Sequence, residues 1–240
     1  VVSKFRTKTT KPVQKILIAF IRLKFLDPTL YQQKDPMNKP LSLSIVMPAL
    51  NEEDNIFVAI NDTLQAFDSY NINGELIVVN DGRKDKTPEI VEEFCKKDQR
   101  VKVIYHTSPQ GIGASFWDGV DHSMNETISM LPGDGENNPG EIIRYLNLLN
   151  HVDMVIPFVF NPQVRPLWRS ALSFVYRFII NTTFLANFNY TNGTVLYRKS
   201  ILEGLGIRNT SFFFQTDILV RSVKRGYLFA EVPYCLGTRG

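Results

Sequence analysis

The sequence predicts an α/β fold, a mostly parallel central sheet with helices on both faces. Three observations predict it. From Leu41 onward, short runs of strand-type residues alternate with segments of helical period. The connections between them are short and rich in Gly and Asp. The polar residues fit for chemistry gather where the strands end, which is where open parallel sheets bind ligands. With 240 residues, 44% of them hydrophobic, the chain can bury one large core or two small ones.

Each element has its own signal. Leu41 to Met47 reads as the first strand, and Pro48 stops it. Asn51-Glu52-Glu53-Asp54 then places acids at the start of a helix that runs to Phe67, where they suit the helix dipole. Glu75 to Val79 is a second strand of buried type, ending at Asn80-Asp81-Gly82. Asp85-Lys86-Thr87-Pro88 leads into a helix to Lys97. Val101 to Tyr105 is the third strand, followed by Gly111-Ile112-Gly113-Ala114 and a helix to Met124. Thr127 to Leu131 is the fourth strand and Met154 to Pro157 the fifth, with Glu231 to Pro233 a short late one.

The stretch Met130-Leu-Pro-Gly-Asp134-Gly-Glu136-Asn-Asn-Pro139-Gly-Glu141 is the focus of the chain. An apolar approach stops at Pro132 and Gly133, Asp134 and Glu136 follow, and Ile142, Ile143, Leu146 and Leu149 then carry a helical period. Carboxylates held in a turn between strand and helix offer hard oxygen ligands to a divalent cation. The same composition also suits a solvated turn.

Composition narrows the function classes. Cys95 and Cys235 lie far apart without metal-ligand spacing and read as reduced thiols of a cytoplasmic setting, or as one bridge. Six Asn-x-Ser/Thr triplets, at Asn61, Asn125, Asn181, Asn189, Asn192 and Asn209, matter only in a secreted protein. The net charge of +3 is unevenly spread. Residues 1–40 carry nine Lys/Arg against Asp27 and Asp35, a net of +7, and the remaining 200 residues net −4. A basic arm on a mildly acidic globule points to an anionic partner, a membrane surface or nucleic acid. No recognised nucleic-acid module accompanies the arm. Within it, Val13 to Leu26 reads as a helix, too short and too charged to span a bilayer. It suits either the membrane interface or docking on the domain. Gly111-Ile-Gly113 follows the third strand rather than the first, which argues against a dinucleotide fingerprint. A Walker loop, a Gly-x-Ser-x-Gly elbow and Cys/His metal spacing are all missing. His106, His122 and His151 are scattered and read as structural or exposed.

Four motifs stand in order: Ile45-Val-Met-Pro48-Ala49-Leu-Asn51-Glu52, Val79-Asn-Asp81-Gly82-x-x-Asp85-x-Thr87, Gly111-x-Gly113-Ala114-x-x-x-x-Gly119, and Pro132-Gly-Asp134-Gly-Glu136. The series, over 41–240, resembles the glycosyltransferase family 2 enzymes of the GT-A fold, in the branch of dolichyl-phosphate mannose synthase and bacterial polyprenyl-phosphate glycosyltransferases. The resemblance implies sugar transfer from a nucleotide-diphosphate donor, with Mg²⁺ or Mn²⁺ and inversion at the anomeric carbon. It implies that Pro48, Ala49, Asn51, Glu52, Gly111 and Gly113 bind the donor nucleotide and that Asp81 reads the nucleobase. Asp134 matches the last aspartate of the family's Asp-x-Asp metal motif, and Glu136 falls where the branch often has a Gln ligand. The sequence departs from the pattern at Pro132, where the first metal-motif aspartate is expected, and at Asn80 and Arg83. Mg²⁺ commonly takes one or two carboxylates plus phosphates, so the site stays workable. Pro132 also motivates a second reading, a silent protein that holds a nucleotide sugar.

For the acceptor, Arg165-Pro-Leu-Trp-Arg169 precedes an apolar helix from Ser170 to Ile180, with Arg169, Ser173 and Arg177 on one face. The helix suits a membrane interface with arginines toward phosphate, or a core position with snorkelling arginines. The resemblance implies that Arg165 and Arg169 lie near a lipid-phosphate acceptor, and that Arg239, six residues after Pro233, belongs to the same phosphate site. It further implies that a Gly-x-Ser-Lys loop and membrane helices continue past Gly240. For Asp217, after Phe214-Gln215-Thr216, the resemblance implies a general base if the acceptor is a hydroxyl; it also suits an orienting group or simply an acid at a helix start. The chain is thus expected to work at the cytoplasmic face of a membrane, catalysing through Asp134, Asp217 and Arg169.

Overall fold

The computed structural model describes residues 42–82, 84–160 and 167–235; for Leu167, Arg169 and Ser170 it describes the backbone alone. The expected helix at Val13 to Leu26, together with Arg83, Arg165 and Arg239, lies outside the described residues.

Strand β1 (Ser42–Ala49) pairs in parallel with β2 (Asn73–Asn80), from Ser42 opposite Asn73 to Ala49 opposite Asn80. Both strands are buried almost throughout, which explains their runs of Val, Ile and Leu. β3 (Val101–Tyr105) flanks β2 in parallel, and β4 (Thr127–Met130) flanks β1 in parallel. The sheet continues through β6 (Leu196–Arg198), antiparallel to both its neighbours, then β5 (Met154–Val159) and β7 (Phe229–Tyr234). Its order is β3-β2-β1-β4-β6-β5-β7. The mostly parallel sheet that the sequence predicts is the one observed.

The two-residue period of the strands divides the core into two layers. Leu43, Ile45 and Met47 of β1, with Leu76 and Val78 of β2, pack against helices α1 (Ile56–Ser69) and α2 (Thr87–Lys97). Val46, Ile77 and Val79 point the other way, toward Phe116 and Trp117 of α3 (Ile112–His122). Helix α4 (Gly140–Ile143) and a 3₁₀ turn, Leu146–Asn150, join the first layer. Helices α5 (Leu167–Phe184), α6 (Lys199–Gly204) and α7 (Phe214–Lys224) complete the second half, with Ile218 and Leu219 of α7 in the second layer.

Three elements differ from the sequence expectation. The helix expected from Asn51 begins at Ile56, because Asn51 adopts a left-handed φ of 56° and breaks the path. The helical period over 142–149 is divided between α4 and the 3₁₀ turn. The resemblance implies a strand beside the donor sugar over Thr191 to Arg198, but most of that segment is irregular and only Leu196–Arg198 pairs as a strand.

Candidate active site

Backbone hydrogen bonds draw the four motifs onto one rim. The Gly133 amide donates to the Pro48 carbonyl at 3.0 Å, and the Asp81 amide to the Ala49 carbonyl at 2.8 Å. The His106 amide donates to the Asn80 carbonyl at 3.0 Å. Pro48 and Ala49 are themselves buried, so they contribute through their carbonyls and the shape of the strand end.

The turns beyond β1 and β2 are stitched together by side chains. The Glu52 amide donates to Thr87 Oγ1 at 2.9 Å, and the Glu53 amide to Asp85 Oδ2 at 3.0 Å. The Lys86 amide returns a bond to Glu53 Oε2, also at 3.0 Å. Burial pushes the Asp85 carboxyl up, but the Thr87 hydroxyl and the amides of Glu53 and Thr87 outweigh it and hold the group below its ordinary value. Asn51 stays exposed at this turn, and the Glu52 carboxylate accepts from Asn55 Nδ2 at 3.1 Å.

Asp81 is nearly sealed, at 4% exposure. Its Oδ1 accepts from the Gln110 amide at 2.7 Å and its Oδ2 from the Gly111 amide at 2.8 Å. His106 Nδ1 lies 2.6 Å from Oδ1, and His106 Nε2 lies 2.8 Å from Asp118 Oδ2 on α3. Gly111 takes φ +93°, a conformation that side chains resist, and this conformation turns its amide onto Asp81. Gly113 has a different reason to be glycine. A Cβ there would fall 2.3 Å from the Thr210 carbonyl oxygen, so its bare face is covered by the 209–211 segment. That segment is fixed by Trp117 Nε1, which donates to the Asn209 carbonyl at 2.9 Å, and by a bidentate Arg208–Asp121 pair.

A cleft of about 390 Å³ opens beside this rim. Asp134 and Glu136 stand on one wall, after β4, and the Glu136 amide donates to Asp134 Oδ1 at 3.0 Å. Tyr190, Gly193 and Thr194 form the opposite wall, with Phe212, Phe214 and Tyr234 closing the apolar sides. Gln215, 4% exposed, holds that wall by donating from Nε2 to the Gly193 carbonyl at 2.7 Å. Asn189 is gripped by Glu231, receiving its amide and its Nδ2 at 2.6 and 2.5 Å, and the Arg177 guanidinium donates to the Asn189 carbonyl. Burial pushes the Tyr234 phenol up, reinforced by Tyr190, Glu141 and Asp134, so it remains a donor, to Asn137 Oδ1 at 2.7 Å.

The family-model comparison decides the family, matching Glycosyl transferase family 2 over residues 44–206. The chain belongs to glycosyl transferase family 2. It is 28% identical over 205 residues to polyprenol monophosphomannose synthase of Mycolicibacterium smegmatis, covering 79% of this chain and 75% of that protein. It is 34% identical over 98 residues to dolichyl-phosphate β-glucosyltransferase ALG5A of Trichomonas vaginalis, covering 39% and 30%. Among solved structures, glucosyl-3-phosphoglycerate synthase of Mycobacterium tuberculosis, in complex with Mg²⁺ and UDP, superposes with a TM-score of 0.63 at 16% identity. That match covers 83% of this chain and 72% of the other. TarS 1–349 of S. aureus superposes with a TM-score of 0.58 at 18% identity, covering 81% and 58%. The protein is a glycosyltransferase of the GT-A fold.

As a family 2 chain it distributes its expected site residues unequally. Asp134 and Glu136 share the cleft wall, and Pro132 lines the cleft with them. Among the described residues no group of three His, Cys, Asp or Glu side chains stands ready to enclose a metal ion. The two hard-oxygen carboxylates fit Mg²⁺ or Mn²⁺ of the kind that completes its coordination with phosphate oxygens and water. Asp217 is not among the cleft-lining residues. Its Oδ2 accepts from Arg221 Nη1 at 3.1 Å, and Arg221 also donates to the Leu205 and Ile207 carbonyls. Arg169 lies on α5, its side chain outside the description.

The sequence reading missed His106, Gln215, Tyr190 and Tyr234. Only His106 had a usable signal. Parallel pairing of Asn80 with Tyr105 sets residue 106 beside residue 81, and that register follows once the two strands are aligned.

Proposed function

We propose that this glycosyltransferase moves a sugar from a nucleotide-diphosphate donor to a polyprenyl phosphate, dolichyl or undecaprenyl in type, at a membrane surface. The observation that carries the reading is an apolar surface leading to the cleft. On α5, Trp168, Leu172, Val175 and Ile179 form one exposed stripe and Phe174 and Phe178 another, each side chain more than half exposed. Their opposite face holds the body: Tyr176 stacks on Phe213 with ring centroids 5.9 Å apart and donates to Thr216 Oγ1 at 2.9 Å. Phe212 and Phe213 are exposed beside it, and Phe212 lines the cleft. Among the described residues no helix is long and apolar enough to cross a membrane. A surface of this kind suits lying in the interface instead. The relatives named for polyprenol and dolichyl phosphate support the same acceptor class.

The chemistry is then an in-line displacement. An acceptor phosphate oxygen forms a bond to the anomeric carbon while the bond to the donor diphosphate breaks, and the electron pair leaves with the nucleoside diphosphate. Phosphate is already ionised, so no general base is needed. Asp217, paired with Arg221, is free of that duty in this reading. Asp134 and Glu136 would hold Mg²⁺ or Mn²⁺, which when bound supplies positive charge at the leaving diphosphate. Arg165, Arg169 and Arg239 serve as the cations that hold the acceptor phosphate. Tyr190, Phe212, Phe214 and Tyr234 narrow the cleft against water, the competing nucleophile.

The test is a panel of radiolabelled nucleotide sugars with undecaprenyl and dolichyl phosphate, with and without Mn²⁺. Label entering the organic phase with one donor is the expected result. Label recovered only on soluble glycans would overturn the lipid acceptor, and an Asp217→Asn variant with a collapsed rate would restore a general base.

A further inference from the structure

We infer that His106 is a positioning residue for the nucleotide end of the cleft, a role that rests on the nucleotide-sugar reading above. The ring is 5% exposed and sits between two carboxylates of different elements. Nδ1 lies 2.6 Å from Asp81 at the end of β2, and Nε2 lies 2.8 Å from Asp118 on α3. Asp81 in turn receives the Gln110 and Gly111 amides. One imidazole therefore ties β2, the loop after β3 and the helix that the loop enters. Leu50, Gly82 and Pro109 converge just outside this clamp, since a Cβ on Gly82 would lie 2.6 Å from Leu50 Cδ1 and 4.0 Å from Pro109 Cγ. Leu50 of the first motif and Gly82 of the second therefore meet at the loop that His106 steadies.

Of the two carboxylates Asp81 is sealed, whereas Asp118 reaches solvent with its side chain 42% exposed, so Asp118 is the partner able to turn to water. Among the described residues, the charged groups that meet the ring are Asp81 from β2 and Asp118 from α3. Arg208 acts on Asp118 through space, and His122 Nδ1 sits 2.8 Å from the Asp118 carbonyl. The clamp touches neither Asp134 nor Glu136, so its effect falls on donor binding and not on the transfer step.

Two readouts test this. Amide exchange of Gln110 and Gly111 needs no substrate. In His106→Ala their protection factors are expected to fall by at least about tenfold while the Val46 amide of β1 is unchanged; unchanged protection at both would overturn the clamp. The second readout is UDP and GDP affinity by calorimetry, with Mg²⁺ present. Wild type binding neither would overturn the nucleotide-sugar reading, and the exchange ratio would still decide the clamp. With binding in hand, His106→Ala is expected to weaken it by about tenfold and to leave kcat at saturating donor within about twofold; equal affinity would overturn the role. Should His106→Ala fail to fold, Asp118→Ala decides, because it removes the Nε2 partner and leaves Asp81 in place. Its affinity for UDP or GDP at neutral pH is expected to fall several-fold, and wild-type affinity would overturn the proposal.

Discussion

The Gly133 amide donates to the Pro48 carbonyl at 3.0 Å, and this bond hangs the turn bearing Asp134 from the end of β1. The first and fourth motifs, more than eighty residues apart in sequence, meet there. Gly133 lies against Ile56 and Ala49, leaving no room for a side chain on that face. The cleft wall that carries Asp134 and Glu136 is therefore built on the core strand.

On the proposed reading Asp134→Ala is expected to lower metal-dependent transfer by at least about 100-fold, since it removes one of the two carboxylates that would hold the cation. Asp134→Asn keeps an oxygen for the Glu136 amide and separates the turn from the charge. Both variants should melt within a few degrees of wild type. Full Mn²⁺-stimulated activity in either would remove Asp134 from the metal role.

Gly113→Ala and Gly111→Ala are expected to destabilise for different reasons. In a helix Ala gains about 1 kcal/mol over Gly. At position 113 the new Cβ would meet the Thr210 carbonyl at 2.3 Å, and overpacking of about 1–3 kcal/mol outweighs that gain. At position 111 nothing lies within 4 Å, so the cost is the backbone conformation alone, φ 93° with ψ 165°, about 1–3 kcal/mol. Urea unfolding midpoints check both. A further Thr210→Gly change cannot relieve the first, because the clash is with backbone.

Acid should weaken the fold through Glu75. Burial pushes its carboxyl up, but Lys102 at 2.6 Å, the Met124 amide and the Ser44 hydroxyl overcome this and hold it below the ordinary glutamate value. A depressed folded value means the stabilisation is present above the unfolded value, about 4.3, and is lost as pH falls through the folded one. Between the two the slope is about 1.4 kcal/mol per pH unit. Unfolding free energies of wild type and Glu75→Gln, measured from neutral pH down to about pH 3, should differ by less as pH drops. A constant difference would show that Glu75 is not the group.

The outer face of α5 can be stripped without touching the core. Leu172, Phe174 and Phe178 are 62%, 63% and 63% exposed. Replacing all three with Ser should change solution stability by less than about 1 kcal/mol. If the face enters lipid, sedimentation with anionic vesicles should fall by at least about 100-fold, from about 1 kcal/mol or more per side chain. Unchanged vesicle binding would detach α5 from the membrane role.

Much of this protein was legible in its sequence because strands and turns declare themselves locally. The runs at Leu43 to Met47 and Leu76 to Val79 fixed a buried parallel sheet through their composition alone. The order of Pro48, Asp81, Gly113 and Asp134 pointed to the family. Local pattern could not say which glycines face a ligand and which face the protein. Gly113 looks like Gly111 in sequence, yet only packing against Thr210 explains it. The same holds for Asp217, whose pairing with Arg221 is a property of one helix face, and for Gln215, whose carbonyl partner is 22 residues away.

The stretch from Met130 to Glu141 was decided in both ways. Its sequence determined a strand, a stop at Pro132-Gly133 and carboxylates at 134 and 136, because chain stiffness and turn chemistry are local. Whether those carboxylates face a cleft depends on the Pro48–Gly133 bond and on the Tyr190–Thr194 wall held by Gln215. These contacts join distant parts of the chain, and the bridge of His106 between Asp81 and Asp118 is another of them. Contacts of that kind exist only after the sheet has set the register of its strands, so only the tertiary structure could decide them.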